Sequence, residues 1–173
     1  MRRLITEKEN IASFLGVGVK RLIQWQQQYD DMPITLNKRF QWRAIAEELA
    51  EWLKRTMNRE PRWDRCHMVT MTREQRIIEH WARKLNGDTE VKCQSGRIDI
   101  MTDTQVVEVK HVNRWKNALG QALAYAVVTN LKPVVVLYGS TTNGLRPIIE
   151  NVCSHYGVET HYTMGGCKKK HAG

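Results

Sequence analysis

Residues 96–110, GRIDIMTDTQVVEVK, restrict what this chain can fold into more than any other stretch. Two runs of alternating apolar and polar residues flank Asp103-Thr104, and the pattern predicts two antiparallel strands joined by a two-residue turn. Pairing across that turn sets Met101 opposite Val106, Ile100 opposite Val107, Asp99 opposite Glu108 and Arg97 opposite Lys110. Strand alternation then predicts Ile98, Ile100, Val107 and Val109 on one face, packed on a helix, and Arg97, Asp99, Glu108 and Lys110 on the other, left open. Directly opposed residues have Cβ atoms about 5 Å apart, and like charges so placed repel. A divalent cation reverses that effect, because carboxylate oxygens suit Mg²⁺ or Mn²⁺. The hairpin therefore predicts a metal site at Asp99 and Glu108. Lys110, one strand step further on, is placed to orient or deprotonate a water and to stabilise charge building on a phosphate.

From Thr72 the periodicities predict helix 72–86, strands 89–94, 97–102 and 105–110, helix 114–129, strand 133–138, helix 144–156 and strand 157–163. The fold class is α/β, a mixed sheet with helices on its faces. In TREQRIIEHWARKL, the residues Ile77, Ile78, Trp81 and Leu85 form one stripe; at about 100° per residue Glu74 falls near its centre and Glu79 almost opposite. Glu74 is the preferred inward carboxylate, although an acidic residue in a first helical turn also compensates the helix dipole.

Asp99 followed by Glu108-Val109-Lys110 resembles the catalytic motif of the PD-(D/E)XK, or restriction-endonuclease-like, superfamily, with Ile98 where proline is common. In GQALAYA, Gln121 and Tyr125 lie one helical turn apart and look like the glutamine-and-tyrosine motif of recombination-type members. The resemblance implies an αβββαβ core and Mg²⁺-dependent phosphodiester hydrolysis. It makes Asp99, Glu108, the Val109 carbonyl and Glu74 the metal ligands, puts Lys110 at the water and has Gln121 assist. Arg97 either contacts the scissile phosphate or pairs with a carboxylate, and Trp115 and Lys116 are candidates for lining a DNA groove.

Near the N-terminus, Thr6 with Glu9 reads as a capping box starting a helix at about Glu7. That helix runs through Leu15 to a turn at Gly16-Val17-Gly18, and a second helix spans about 19–29. Ala12, Gly16 and Leu22 match a helix-turn-helix: a small residue at the crossing, a turn glycine and an apolar anchor. Leu22, Trp25 and Tyr29 share one face of the second helix, while Lys20, Gln24 and Gln27 point the opposite way. MPITLNKRFQWRAIAEELAEWLKR reads as a hairpin leading into a helix carrying Ile45, Leu49, Trp52 and Leu53. Over about residues 4–56 the arrangement resembles the winged helix-turn-helix of excisionase-like and MerR-like domains, with Lys38 and Arg39 in the wing. Lys20, Arg21, Gln24, Gln27, Lys38 and Arg39 are the candidate DNA contacts, and Trp25 and Trp52 are expected in the core. A small helical docking domain is the plainer alternative.

Lys and Arg number 27 against 18 Asp and Glu, a net charge of +9 that suits a polyanionic partner. The absence of a run of about 18 apolar residues argues against a membrane span and points to a cytoplasmic protein. Cys66, Cys93, Cys153 and Cys167 fall at irregular spacing, which favours free thiols over a disulfide framework or a zinc knuckle. Residues 1–57 are therefore expected to form a winged helix-turn-helix domain, 58–71 a linker and 72–173 the α/β domain. The expected function is that of an Mg²⁺-dependent DNA endonuclease from a phage, mobile element or restriction system, acting on double-stranded DNA as a homodimer. The alternatives are a non-catalytic DNA-binding regulator on a nuclease fold, and a structure-selective resolvase or exonuclease.

Overall fold

The structure, a computed structural model, describes residues 2–36, 41–141 and 144–163. The chain divides into two compact units, Met1–Thr72 and Arg73–Gly173.

The first unit begins with strand β1 (Arg3–Thr6), followed by helices α1 (Lys8–Leu15) and α2 (Val19–Gln28). Strands β2 (Ile34–Leu36) and β3 (Trp42–Ile45), helix α3 (Ala46–Met57) and strand β4 (Val69–Thr70) complete it. The sheet order is β2-β3-β1-β4, with every pairing antiparallel. Gly16 ends α1 in the left-handed region at φ 67°, where a side chain is strained, and a Cβ there would lie 2.8 Å from Arg62 Nε. Leu22, fully buried, anchors α2 against Ile11, Phe14, Leu49 and Leu53. Trp25 and Trp52 are core residues, and the Trp52 indole nitrogen donates to Asp31 at 3.1 Å.

Three expectations change in this unit. The capping box does not form: Glu7 sits at φ 70° with no side-chain cap, because the preceding residues are held as a strand. Residues 58–71 are not a linker. The Arg62 N–H donates to the Phe14 carbonyl at 2.7 Å, Trp63 packs edge-on against Phe14 at 4.9 Å, and β4 pairs with β1, so tertiary contacts absorb a stretch that looked structureless. Lys38 and Arg39, expected in the wing, lie outside the described residues.

The second unit runs α4 (Arg73–Leu85), β5 (Asp88–Cys93), β6 (Gly96–Met101), β7 (Gln105–His111), α5 (Trp115–Thr129), β8 (Lys132–Tyr138), α6 (Leu145–His155) and β9 (Glu159–Thr163). Its sheet is ordered β5-β6-β7-β8-β9, antiparallel up to β7 and parallel from β7 to β9. Val107, Val109, Val134 and Val136 pack on Ile77, Ile78 and Trp81 of α4, while Val135 and Leu137 pack on α5 and α6. Three layers result, with both sheet faces covered. This corrects the open charged face: α5 lies over it, and Glu108 is only 1% exposed.

Candidate functional site

The β6–β7 hairpin carries the register read from its turn, Ile100 opposite Val107 and Met101 opposite Val106. The Thr102 hydroxyl oxygen accepts from the Thr104 and Gln105 N–H groups, and Thr102 N–H donates to the Gln105 carbonyl at 2.9 Å, which ties the turn. Ladder pairing stops at Ile100 and Val107, and beyond it the Val109 N–H donates at 2.9 Å to Asp99 Oδ2. A side-chain carboxylate thus takes the place of a strand carbonyl, and the strands part far enough to admit it.

Lys110 reaches into this opening. Its ammonium lies 2.8 Å from Glu108 Oε1 and donates to Asp99 Oδ2 at 3.4 Å, Glu74 Oε1 at 3.3 Å and the Val109 carbonyl at 3.2 Å. Three N–H protons therefore serve four acceptors. Glu74 enters from the first turn of α4, and its other oxygen accepts from the Tyr138 hydroxyl at 3.1 Å. Tyr138 closes β8 directly beside His111, and Arg73 lies 5.3 Å over its ring. Sequence reasoning passed over Tyr138; the available signal was its place at the carboxyl end of a parallel strand, where such sheets gather polar groups.

Gln121 hydrogen-bonds the Tyr125 hydroxyl, which donates to the Arg97 carbonyl at 2.9 Å. Gly96, at φ 135°, lets that hydroxyl close on the strand, since a Cβ would stand 3.3 Å from it. Gln121 therefore meets the cluster through Tyr125, whose own titration is raised by burial and by the charges of Glu108 and Asp99. Arg97 leaves the cluster altogether: exposed, it pairs with Glu90 at 2.8 Å, the alternative that its sequence context left open. Glu79, expected on the outer side of α4, is 5% exposed and engaged, because the helix is enclosed beyond its apolar stripe. Lys116 stands over Trp115 at 5.7 Å at the start of α5.

Burial raises the Glu108 carboxyl to about 7, helped by the Asp99 charge and only partly opposed by Lys110. Asp99 is raised as well, by burial first, against the pull of Lys110 and the Val109 N–H. For Lys110 burial works downward, but the hydrogen bond to Glu108 and the three carboxylate charges outweigh it and raise the ammonium. Glu108 Oε2 is buried without a hydrogen-bond partner. Oxygen donors with one orphaned carboxylate oxygen fit a hard divalent cation chemically. Among the described residues, however, no three His, Cys, Asp or Glu side chains form a ready cage, since these carboxylates close on the ammonium.

In the first unit, Lys20, Arg21, Gln24 and Gln27 are all exposed on α2, with Leu22 and Trp25 buried behind them. The helix has no acidic residue in its first turn, so its N-terminal dipole and Lys20 present the same sign of charge.

No protein-family model matches the chain, and no solved structure matches it. Three related proteins of Acanthamoeba polyphaga mimivirus do. The putative KilA-N domain-containing protein L33 is 39% identical over 88 residues, covering 50% of this chain and 35% of the relative. The putative KilA-N domain-containing protein R878 is 32% identical over 118 residues, covering 64% and 32%. The third, L32, carries the same description and is 28% identical over 87 residues, covering 50% and 23%. The chain thus spans about a third or less of the relatives it matches. Each matched stretch exceeds the length of the first unit, Met1–Thr72, so every one includes part of the second.

These relatives correct the expected identity. The PD-(D/E)XK assignment, the excisionase- or MerR-like assignment of the first unit and the phage or restriction endonuclease built on them give way to a relationship with proteins named for the KilA-N domain. The physical reason is that Asp99, Glu108 and Lys110 are three side chains on one hairpin, a charge cluster that a strand pair can carry without fixing a family. No helix among the described residues is long and apolar enough to cross a membrane.

The raised carboxyls give a signed pH dependence. The folded, metal-free protein holds the Glu108 proton up to about pH 7, whereas the unfolded chain releases it near the ordinary 4.5. Stability in EDTA should therefore fall as pH rises through that window, and Asp99 adds a change of the same sign. Urea unfolding at pH 5 and pH 8 checks this: Glu108→Gln should flatten the slope and be the more stable protein at pH 8, and a slope of opposite sign would contradict it.

Proposed function

We propose that this chain is a DNA-binding protein, with α2 of the first unit as its duplex-contacting helix. The observation that carries the reading is the naming of its relatives for the KilA-N domain, a DNA-binding domain family. The exposed Lys20, Arg21, Gln24 and Gln27 support it: the cations suit phosphates, and the glutamine amides match the donor and acceptor pattern on adenine. The net charge of +9 supports it further. A homodimer on a two-fold target and a cytoplasmic place of work complete the proposal.

In the second unit the order α4-β5-β6-β7-α5-β8 supports a restriction-endonuclease-like core serving DNA binding. We further propose that Asp99, Glu108, Glu74 and the Val109 carbonyl hold Mg²⁺, or Mn²⁺, once Lys110 swings out of the position in which it neutralises them. The ion would supply positive charge against a DNA phosphate and Lewis acidity toward it. Lys110, displaced to the edge, would keep its proton and face the same phosphate; Tyr138 would hold Glu74 in place. The enzymatic expectation, an Mg²⁺-dependent deoxyribonuclease, rests on this donor set alone, and plasmid DNA incubated with Mg²⁺ or EDTA decides it. Nicking lost in Asp99→Asn supports a hydrolytic centre; an intact plasmid leaves a cation-binding one.

Replacing Lys20 and Gln24 together by Ala should weaken duplex binding about tenfold or more in fluorescence anisotropy, at unchanged thermal stability, since each polar contact contributes about 1–3 kcal/mol. Unaltered affinity would remove α2 from the interface. Lys110→Ala should lose about 3 kcal/mol of stability in EDTA, because it strands three carboxylates, and should recover part of it on adding Mg²⁺. No recovery with Mg²⁺ or Mn²⁺ would contradict the cation site.

A further inference from the structure

A second polar site lies away from the carboxylate cluster. Beside the C-terminal half of α4 a cavity of about 330 Å³ is lined by Trp81, Lys84, Gln105, Lys132, Glu159 and His161, with the Thr104 turn at its rim. Gln105 begins β7 and Lys110 lies five residues further along, so the two sites stand roughly 17 Å apart along the strand. The cavity exists because Trp81 packs on Val134 and Val136, while the strand beyond them turns Glu159 and His161 to the same side.

The charges there do not cancel. Glu159 is taken up by Lys132 at 2.5 Å and by His161 Nε2 at 2.8 Å. Lys84 pairs with no carboxylate among the described residues; its ammonium lies 4.6 Å over the Trp81 ring. Two ammonium groups thus face one carboxylate. Trp81 is 8% exposed, and its indole N–H is buried with no acceptor, a group that ordinarily finds a partner. His161 covers the other side of the indole at 5.0 Å. The walls therefore offer an indole N–H, a free ammonium, an amide and a hydroxyl, all donors, and lack a free anion.

We propose that this cavity binds a small phosphate-bearing ligand of mononucleotide size or less, with Lys84 as the charge partner and the Trp81 indole N–H as a donor. The size decides against a duplex: the cavity lies at the small end of ligand pockets, about 300–1,000 Å³. Tetrahedral oxyanions suit several convergent donors and one unpaired cation. Such a ligand would tie α4 to the starts of β7, β8 and β9, the end of the unit opposite Lys110.

The test follows the indole proton of Trp81 by ¹⁵N NMR in the full chain, assigned with Trp81→Phe, while inorganic phosphate or deoxyadenosine monophosphate is added. A saturable shift is expected with either probe, about tenfold weaker in Lys84→Ala and unchanged in Lys92→Ala, which lies on β5. Duplex affinity, measured on the same samples, is expected to be the same in Lys84→Ala and wild type, which separates this site from the DNA-binding reading. An unmoved indole signal, or equal phosphate affinity in Lys84→Ala, overturns the proposal. So does a Lys84→Ala variant that loses duplex affinity while phosphate leaves the indole unmoved, since the cavity wall would then be a backbone contact.

Discussion

One ammonium among three carboxylates organises the second unit. Asp99, Glu108 and Glu74 come from β6, β7 and α4, and Lys110 is the point at which these elements meet. Without it, two buried acids on adjacent strands would repel in a poorly screened interior, and the hairpin would be expected to shed one of them to solvent. With it, the strands can part beyond Ile100 and Val107, and Asp99 closes the gap by accepting the Val109 N–H. The acids remain reluctant to ionise, Glu108 most of all, because one of its oxygens has no partner. That imbalance, more acceptors than the ammonium can serve, is what makes a cation a plausible competitor for the place Lys110 occupies.

Much of this geometry was legible in the chain because it depends on local rules. A two-residue turn at Asp103-Thr104 and strand alternation place Ile100 against Val107 and bring Asp99 near Glu108, and helical spacing points Glu74 inward. What escaped is tertiary. Strand β1 and the stretch from 58 to 71 carry little periodicity of their own and acquire structure by pairing with each other and packing on Phe14. The covered face of β7 was invisible because alternation tells which residues share a face, not that α5 will lie over it. Arg97 left its expected face for Glu90, a partner set by the neighbouring strand β5, and Tyr138 enters the cluster through a parallel pairing with no local signal at all.

Function was less legible than geometry. The string Asp99, Glu108, Lys110 names a chemistry, not an ancestry, and the relatives carry the name of a DNA-binding domain instead. Their matched stretches outrun the first unit, so the relationship involves the α/β unit as well as the helix-turn-helix. A polyanion partner unites what the two units present: a cationic helix face on α2, and a centre in the second unit whose acids call for a divalent ion that phosphates also bind.

The most direct measurement is the salt dependence of duplex binding by the full chain, followed by fluorescence anisotropy. Phosphate contacts release condensed counterions, so log K should fall linearly with log salt, with a slope of about −0.9 for each phosphate neutralised. Binding at low salt with a slope of several contacts is the predicted result. No binding at low salt, or an affinity indifferent to salt, would contradict DNA as the partner.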